Sequence, residues 1–416
     1  MHRKTFLFFP VEIGLAHIVR PLAVAEALHR RGHRVIFALS RRKQAIFSAT
    51  PVRLVDVKNY AADDSQLDIK SFSNYQFLKQ AVNQELELIR KYKPDTVVID
   101  FRISALAAGL IAGKPCVFLS LGESLPEGSY LPNPGLPKII YRLFKSLSGP
   151  IYHQALIHYL RPLMAVVKEH QINIAWRDWF RTVTFILPEP AFYLPANAKD
   201  LHLHYVAPVS WSGFKNTTPA WLSNIKRDGK TIYLTFGGTG FDKRKLIDLS
   251  VLLVKSGYRV VVSSGTIADP EDFPKINGVF VARFLPGALV TKKVDLVVCH
   301  GGYGTMIEAV QNGTPVLAIP FNPDQIIHGK RMEELGVGRC LFSLNLSDLA
   351  AVFTFNWKQI EDKGRRLEVR TIVRNVKEMF ADPDVYRGAM ARFKRLYPMD
   401  NGADQTADLL EKGARG

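Results

Sequence analysis

The stretch Val297-Val298-Cys299-His300-Gly301-Gly302-Tyr303-Gly304-Thr305-Met306-Ile307-Glu308-Ala309 reads as a buried strand running through a glycine-rich turn into a helix. Glycines let the backbone come close to an anion, and the first amides of the helix are unpaired donors at the positive end of its dipole. A diphosphate fits such a place. His300 offers a side-chain donor to the same oxygens, and Glu308, one turn into the helix, can accept from two ribose hydroxyls. A purely structural reading competes, with Thr305 and Glu308 as a capping box and His300 as a polar residue closing a strand.

The continuation from Gly313-Thr314-Pro315 through Val316-Leu317-Ala318-Ile319 to Asp324-Gln325 adds a further strand with a carboxylate and an amide at its carboxyl edge. Such a pair can hold sugar hydroxyls; taken alone it reads equally as the polar start of a helix.

Working outward, apolar runs of strand length alternate with segments of helical period through both halves, the pattern of parallel sheets covered by helices. Strands are expected near Thr5 to Phe9, Arg34 to Ala38, Thr96 to Asp100 and Pro115 to Leu119, and again near Thr231 to Phe236, Tyr258 to Ser263, Val294 to Cys299 and Pro315 to Ile319. Helices are expected over Pro21 to Arg31, ended by Gly32, and over Tyr75 to Tyr92, ended before Pro94. The fold class is therefore α/β, with two Rossmann-like doubly wound domains. Turn formers and small polar residues between Val206 and Pro219 mark a linker. The expected organisation is a first domain over 1–207, a linker over 208–228, a second domain over 229–390, and a C-terminal helical segment over 391–416 that packs back toward the first. Open parallel sheets bind ligands beyond the carboxyl ends of their strands, so two of them facing one another are expected to form a cleft.

At 416 residues and 47% apolar composition, two packed interiors are within reach. An excess of 55 Lys and Arg over 38 Asp and Glu, a net charge of +17, favours anionic partners such as a phosphorylated substrate or an anionic lipid surface. Nucleic acid has only this charge behind it and is not expected as a partner, since no recognition module is present. Cys116, Cys299 and Cys340 lie in or beside apolar runs without metal or redox spacing, which points to reduced, buried thiols and a cytoplasmic location. The basic, apolar start meets Glu12 too early for a signal peptide, and no run of about 18 apolar residues spans a membrane.

Residues 283–338, from Arg283-Phe284-Leu285-Pro286-Gly287 through His-Gly-Gly-x-x-Thr-x-x-Glu-Ala and Asp-Gln to Gly336-Val337-Gly338, resemble the donor signature of the UDP-glycosyltransferase superfamily of GT-B fold. That resemblance implies an inverting transfer of a hexose from a nucleotide diphosphate sugar, UDP-linked in the first instance, with no resident cofactor or metal. It implies that His300 and the amides around Gly301, Gly302, Gly304 and Thr305 hold the diphosphate, that Glu308 holds the ribose, and that Asp324 with Gln325 holds the sugar. Gly237, Gly238 and Thr239 close over the diphosphate from the other loop. Where the family often has Trp and Gln this chain has Phe284 and Gly287. Stacking on the base is kept while one base-reading amide is not, so thymidine joins uracil among the expected bases.

An acceptor hydroxyl needs a base, and the resemblance assigns that role to His17, in Gly14-Leu15-Ala16-His17-Ile18-Val19-Arg20-Pro21, with Asp100 after a later strand to orient it. The spacing from His17 to Pro21 is one residue longer than the commoner Gly-His-x-x-Pro. Read without the resemblance, His17 is a polar residue opening a helix and Asp100 a cap on the next one.

The segment 138–181 mixes Lys and Arg with aromatics at helical spacing. It suits an apolar or aromatic acceptor or a peripheral contact with anionic membrane at the inner face, and equally an ordinary amphipathic insertion. The alternatives carried forward are a GT-B nucleotide-sugar epimerase or hydrolase, and a non-catalytic partner subunit of the same fold.

Overall fold

The computed structural model describes residues 2–58, 74–125, 132–133, 137–194, 200–211, 218–237, 240–345, 347–348, 351, 357–397 and 400–413. The chain divides into two compact units. The first comprises 1–130, 146–211 and 400–416; the second comprises 131–145 and 212–399.

In the first unit, β1 (Thr5–Pro10), β2 (Arg34–Ala38), β3 (Arg53–Val55), β4 (Thr96–Asp100), β5 (Cys116–Leu119), β6 (Thr184–Leu187) and β7 (His202–Tyr205) form one sheet in the order β3-β2-β1-β4-β5-β6-β7. All of its pairings are parallel. The helices are α1 (Ala16–Arg30), α2 (Arg41–Ile46), α3 (Tyr75–Tyr92), α4 (Ile103–Ile111), α5 (Lys138–Glu169), of which residues 138–145 belong to the second unit, and α6 (Trp176–Arg181). A parallel sheet covered on both faces needs strands apolar on both sides, and Phe6, Leu7, Phe8 and Phe9 of β1 are all fully buried. One core joins Leu7, Phe9, Val97, Ile99 and Phe118 to Leu78, Val82 and Ile89 of α3 and to Leu163 of α5.

In the second unit, β8 (Thr231–Thr235), β9 (Arg259–Ser263), β10 (Val279–Ala282), β11 (Leu296–Cys299), β12 (Val316–Ala318) and β13 (Gly338–Cys340) form a parallel sheet in the order β10-β9-β8-β11-β12-β13. Its helices are α7 (Lys243–Lys255), α8 (Gly287–Thr291), α9 (Tyr303–Gln311), α10 (Pro323–Glu334), α11 (Trp357–Arg365), α12 (Val369–Ala381) and α13 (Asp384–Leu396). The two sheets share one topology, in which strand order reverses between β1 and β4 and between β8 and β11.

Three findings refine the sequence reading. The interior strand β6 and the edge strands β3, β7, β10 and β13 join the expected ones. Helix α1 starts five residues before Pro21, because Gly14, at φ +72°, turns the chain out of β1 early enough for Leu15 to serve as N-cap. Pro21 then lies inside the helix, where it withholds the amide that would bond the His17 carbonyl. The expected return of the chain at 391 begins later: Tyr386, Met390 and Phe393 of α13 are buried, and the Tyr386 hydroxyl accepts from Arg339 Nε of β13 at 3.0 Å within the second unit.

Only the last helix, α14 (Gly402–Lys412), belongs with the first unit, where it packs on α1 through Thr406, Ala407 and Leu410. Arg31 donates to Asp408 at 2.6 Å, Asp404 at 3.0 Å and Glu411 at 3.1 Å, and Glu411 also meets His33 Nε2 at 2.8 Å. Among the described residues no helix is long and apolar enough to cross a membrane.

A Cβ at Gly402 would stand 2.1 Å from the Ala207 carbonyl oxygen and 2.4 Å from that of Pro208. Gly402→Val is therefore expected to cost about 1–3 kcal/mol and to undock α14. Denaturant unfolding with hydrogen exchange over 402–412 measures both effects.

Candidate active site

The first cluster sits where the first sheet reverses its strand order. His17 is the second residue of α1, in the turn that leaves β1, and Asp100 is the last residue of the neighbouring β4. Phe101 follows in a left-handed conformation at φ +52°, uncommon for a residue with a side chain, so the chain turns sharply beyond Asp100. His17 Nδ1 lies 2.7 Å from Asp100 Oδ1; the Asp100 side chain is wholly buried while His17 remains 33% exposed. A carboxylate can only accept, so Nδ1 carries the proton and Nε2 is left as a lone-pair acceptor on a ring open to solvent. Asp100 does not cap α4, whose N-cap is Arg102.

Arg20, one turn beyond His17 on the same helix, was not singled out from the sequence. Its Nε donates to Asp100 Oδ2 at 2.9 Å and its Nη2 to Oδ1 at 3.0 Å, forming a buried two-point pair. Glu189, two residues past β6, and Glu123, four past β5, complete this edge of the sheet. Glu189 Oε1 accepts from the Gly122 amide at 2.8 Å, and its buried Oε2 has no hydrogen-bond partner. Burial drives the Glu189 carboxyl well above the usual carboxylate range, the Glu123 charge adds to this, and the Gly122 amide and the Arg20 charge oppose it. The available sequence signal was a Glu just after an apolar strand in Leu187-Pro188-Glu189 and in Leu121-Gly122-Glu123.

The second cluster occupies the matching reversal in the second sheet. Helix α9 begins at Tyr303 with Gly302 as N-cap and without a side-chain cap, so Thr305 and Glu308 form no capping box. Gly301, at φ +89°, turns beneath Gln325: a Cβ there would come 2.9 Å from the Gln325 carbonyl oxygen. A Cβ on Gly302 would come 2.5 Å from His300 Nε2, and one on Gly237 would stand 3.5 Å from the same ring. The His300 ring thus lies between the turns after β8 and β11, and its buried Nδ1 has no hydrogen-bond partner. Burial pushes the imidazole down to about 4 against the opposing hydrogen bond with the Thr235 backbone, so the ring is neutral at neutral pH. Gly238 and Thr239 lie outside the described residues.

Ser264 and Gly265, after β9, are additions to the sequence reading. A Cβ on Gly265 would press on the Gly237 carbonyl oxygen at 2.6 Å, and the buried Ser264 Oγ has no hydrogen-bond partner. Glu308 is half-buried in α9, with burial raising its carboxyl to about 7, and its Oε2 would lie 2.4 Å from a Cβ on Gly287. Glu308 therefore fills the room that a longer residue at 287 would take. Phe284 stands at the surface, 36% exposed.

On α10, Asn322 caps the helix by accepting from the Gln325 amide at 3.1 Å; Asp324 is exposed in the first turn. Buried Gln325 accepts from the Phe321 amide at 2.8 Å through Oε1. The three cysteines are free and buried, each with its thiol pushed up to about 12 by burial. Among the described residues, no three His, Cys, Asp or Glu side chains gather as metal ligands.

Residues 231–354, within the second unit, match the glycosyltransferase family 28 C-terminal domain. Along most of its length the chain is similar to a PGL/p-HBAD biosynthesis glycosyltransferase of Mycobacterium tuberculosis, at 26% identity over 374 residues and 84% of each chain. It is also similar to a PGL/p-HBAD biosynthesis rhamnosyltransferase of Mycobacterium bovis, at 27% identity over 81% of this chain and 76% of that one. The fold matches the crystal structure of the calicheamicin glycosyltransferase CalG4 with a TM-score of 0.70, at 20% identity over 99% of this chain and 98% of that one. The chain is a glycosyltransferase with the GT-B fold.

Glu308 gives this glycosyltransferase a testable dependence on pH. Its carboxyl titrates near 4.5 when unfolded and near 7 when folded, so its contribution to stability is present below 4.5 and is lost as pH rises through 7. Glu308→Gln cannot titrate, so its stability relative to the wild type should rise from pH 5 to pH 8, as read by denaturant unfolding at both. A difference that stays flat would place the Glu308 titration elsewhere.

Proposed function

We propose that this glycosyltransferase moves a hexose, with inversion, from a nucleotide diphosphate sugar to a hydroxyl of an apolar small-molecule or lipid acceptor, without a metal ion. The observation that carries the reading is the 2.7 Å pairing of His17 Nδ1 with Asp100, which leaves Nε2 free to take a proton. The acceptor hydroxyl gives its proton to Nε2 as its oxygen forms a bond to the anomeric carbon. The bond from that carbon to the diphosphate oxygen breaks on the opposite side, and Asp100 stabilises the imidazolium.

For the leaving diphosphate, the proposal uses the uncapped amides at the start of α9 and the neutral His300 ring, whose single N–H would turn from the Thr235 backbone to a diphosphate oxygen. These donors stand in for a divalent cation. Glu308 binds the ribose, Asp324 and the free amide of Gln325 bind the sugar, and Phe284 stacks on the base. Gly237, in the turn after β8, faces the diphosphate from the other loop. Uridine and thymidine diphosphate hexoses, rhamnose among the sugars, are the donors to compare, given the rhamnosyltransferase relative. The basic, aromatic segment 138–181 supports an apolar acceptor taken up at an anionic membrane surface on the cytoplasmic side.

His17→Ala is expected to lower transfer by about 10²–10⁴-fold while nucleotide affinity is unchanged. Mass spectrometry of acceptor mixtures and calorimetric titration with the nucleotide measure the two. Turnover equal to the wild type removes His17 from the mechanism, and consumption of nucleotide sugar without any acceptor favours an epimerase or hydrolase instead. Binding to vesicles is expected to require anionic lipid; co-sedimentation that is indifferent to lipid charge rejects the membrane contact.

A further inference from the structure

Asp100 serves two partners. Its Oδ1 accepts from His17 Nδ1 at 2.7 Å and from Arg20 Nη2 at 3.0 Å, and its Oδ2 accepts from Arg20 Nε at 2.9 Å. The side chain is fully buried, and Arg20 is itself buried on α1, one turn from His17. Arg20 comes from α1 and Asp100 from β4; Glu189 and Glu123 come from the loops after β6 and β5, and the uncharged Phe101 ring lies 6.0 Å from that of His17. Burial favours the proton-bearing form of Glu189, so Arg20 is the fixed countercharge for Asp100.

A carboxylate in such a place faces opposing demands. Bound to His17 alone, a buried carboxylate would hold imidazolium tightly, and in that state the base is spent. A guanidinium cannot lose its proton at ordinary pH, and its fork matches both carboxylate oxygens.

We propose that Arg20 is a positioning residue of the transfer reaction: its two-point grip holds Asp100 aimed at His17 Nδ1, and its fixed positive charge opposes protonation of the imidazole. The inference rests on His17 acting as the general base. Loss of Arg20 acts on the His17 proton in one direction through two routes, since it removes a repelling positive charge and returns the full pull of the carboxylate to the ring.

The test is an NMR titration of the His17 ring in the histidine-labelled full chain, its resonance assigned by its absence from His17→Ala, alongside the pH profile of transfer. Arg20→Gln is expected to raise the His17 midpoint by about 1 pH unit or more. The acid limb of the rate profile should move up by the same interval and the rate should recover at alkaline pH. Arg20→Lys, which keeps the charge without the fork, should give a smaller rise. A merely structural Arg20 would depress the rate equally at every pH and leave the midpoint in place; that result in folded Arg20→Gln overturns the inference. Should that variant fail to fold, a midpoint in Arg20→Lys equal to the wild type overturns the two-point grip. Full activity in His17→Ala overturns the general-base reading and this inference with it, whereas an inactive His17→Ala beside an unmoved midpoint overturns this inference alone.

Discussion

Both candidate sites depend on the reversal of strand order in a parallel sheet. Where order reverses, successive crossovers leave for opposite faces of the sheet, and the loops at the carboxyl ends part to leave a crevice. In the first sheet the reversal lies between β1 and β4, and the residues just past those strands are His17 and Asp100. In the second it lies between β8 and β11, and the residues there are Gly237 and His300 with its glycines. One topology used twice thus yields a place for a base and a place for an anion.

The two places differ in how they treat charge. Beside β4 a buried carboxylate is kept company by a guanidinium and an imidazole, and every oxygen lone-pair direction used is met by a donor. Beside β11 no fixed countercharge among the described residues offsets burial, so His300 is held neutral and Glu308 shifts toward its neutral form. Backbone amides are left to supply the positive field, which suits a ligand that brings its own negative charge. Close packing of glycines shapes that field: Gly237, Gly265, Gly301 and Gly302 stand where any side chain would meet the backbone or the His300 ring.

Most central strands were legible because strands buried on both faces are written as uninterrupted apolar runs, as in Phe6-Leu7-Phe8-Phe9 and Leu296-Val297-Val298-Cys299, although the equally buried β6, Thr184-Phe185-Ile186-Leu187, was not read. Edge strands such as β3, Arg53-Leu54-Val55, and β7, His202-Leu203-His204-Tyr205, are short and polar on one side, and they are held by pairing to a neighbour rather than by their own pattern. The start of α1 was misjudged for a related reason. Pro21 is a conventional first residue of a helix, yet the turn at Gly14 lets the helix begin earlier and carry His17 and Arg20 on one face. The glycine turn and His300 could be found from local chemistry, whereas Arg20 and Ser264 could not, since neither belongs to a short motif and each gains meaning from a strand distant in sequence.

By itself the sequence determined the alternation of strands and helices, the two-unit plan and the turn at 300–305, all of which follow from periodicity and from backbone geometry that only glycine tolerates. Tertiary structure alone decided which strands are neighbours. That choice sets a carboxylate at position 100 against side chains at 17 and 20, and because the energy of a buried charge depends on the distance and solvation of its partners, the local order of residues does not encode the outcome.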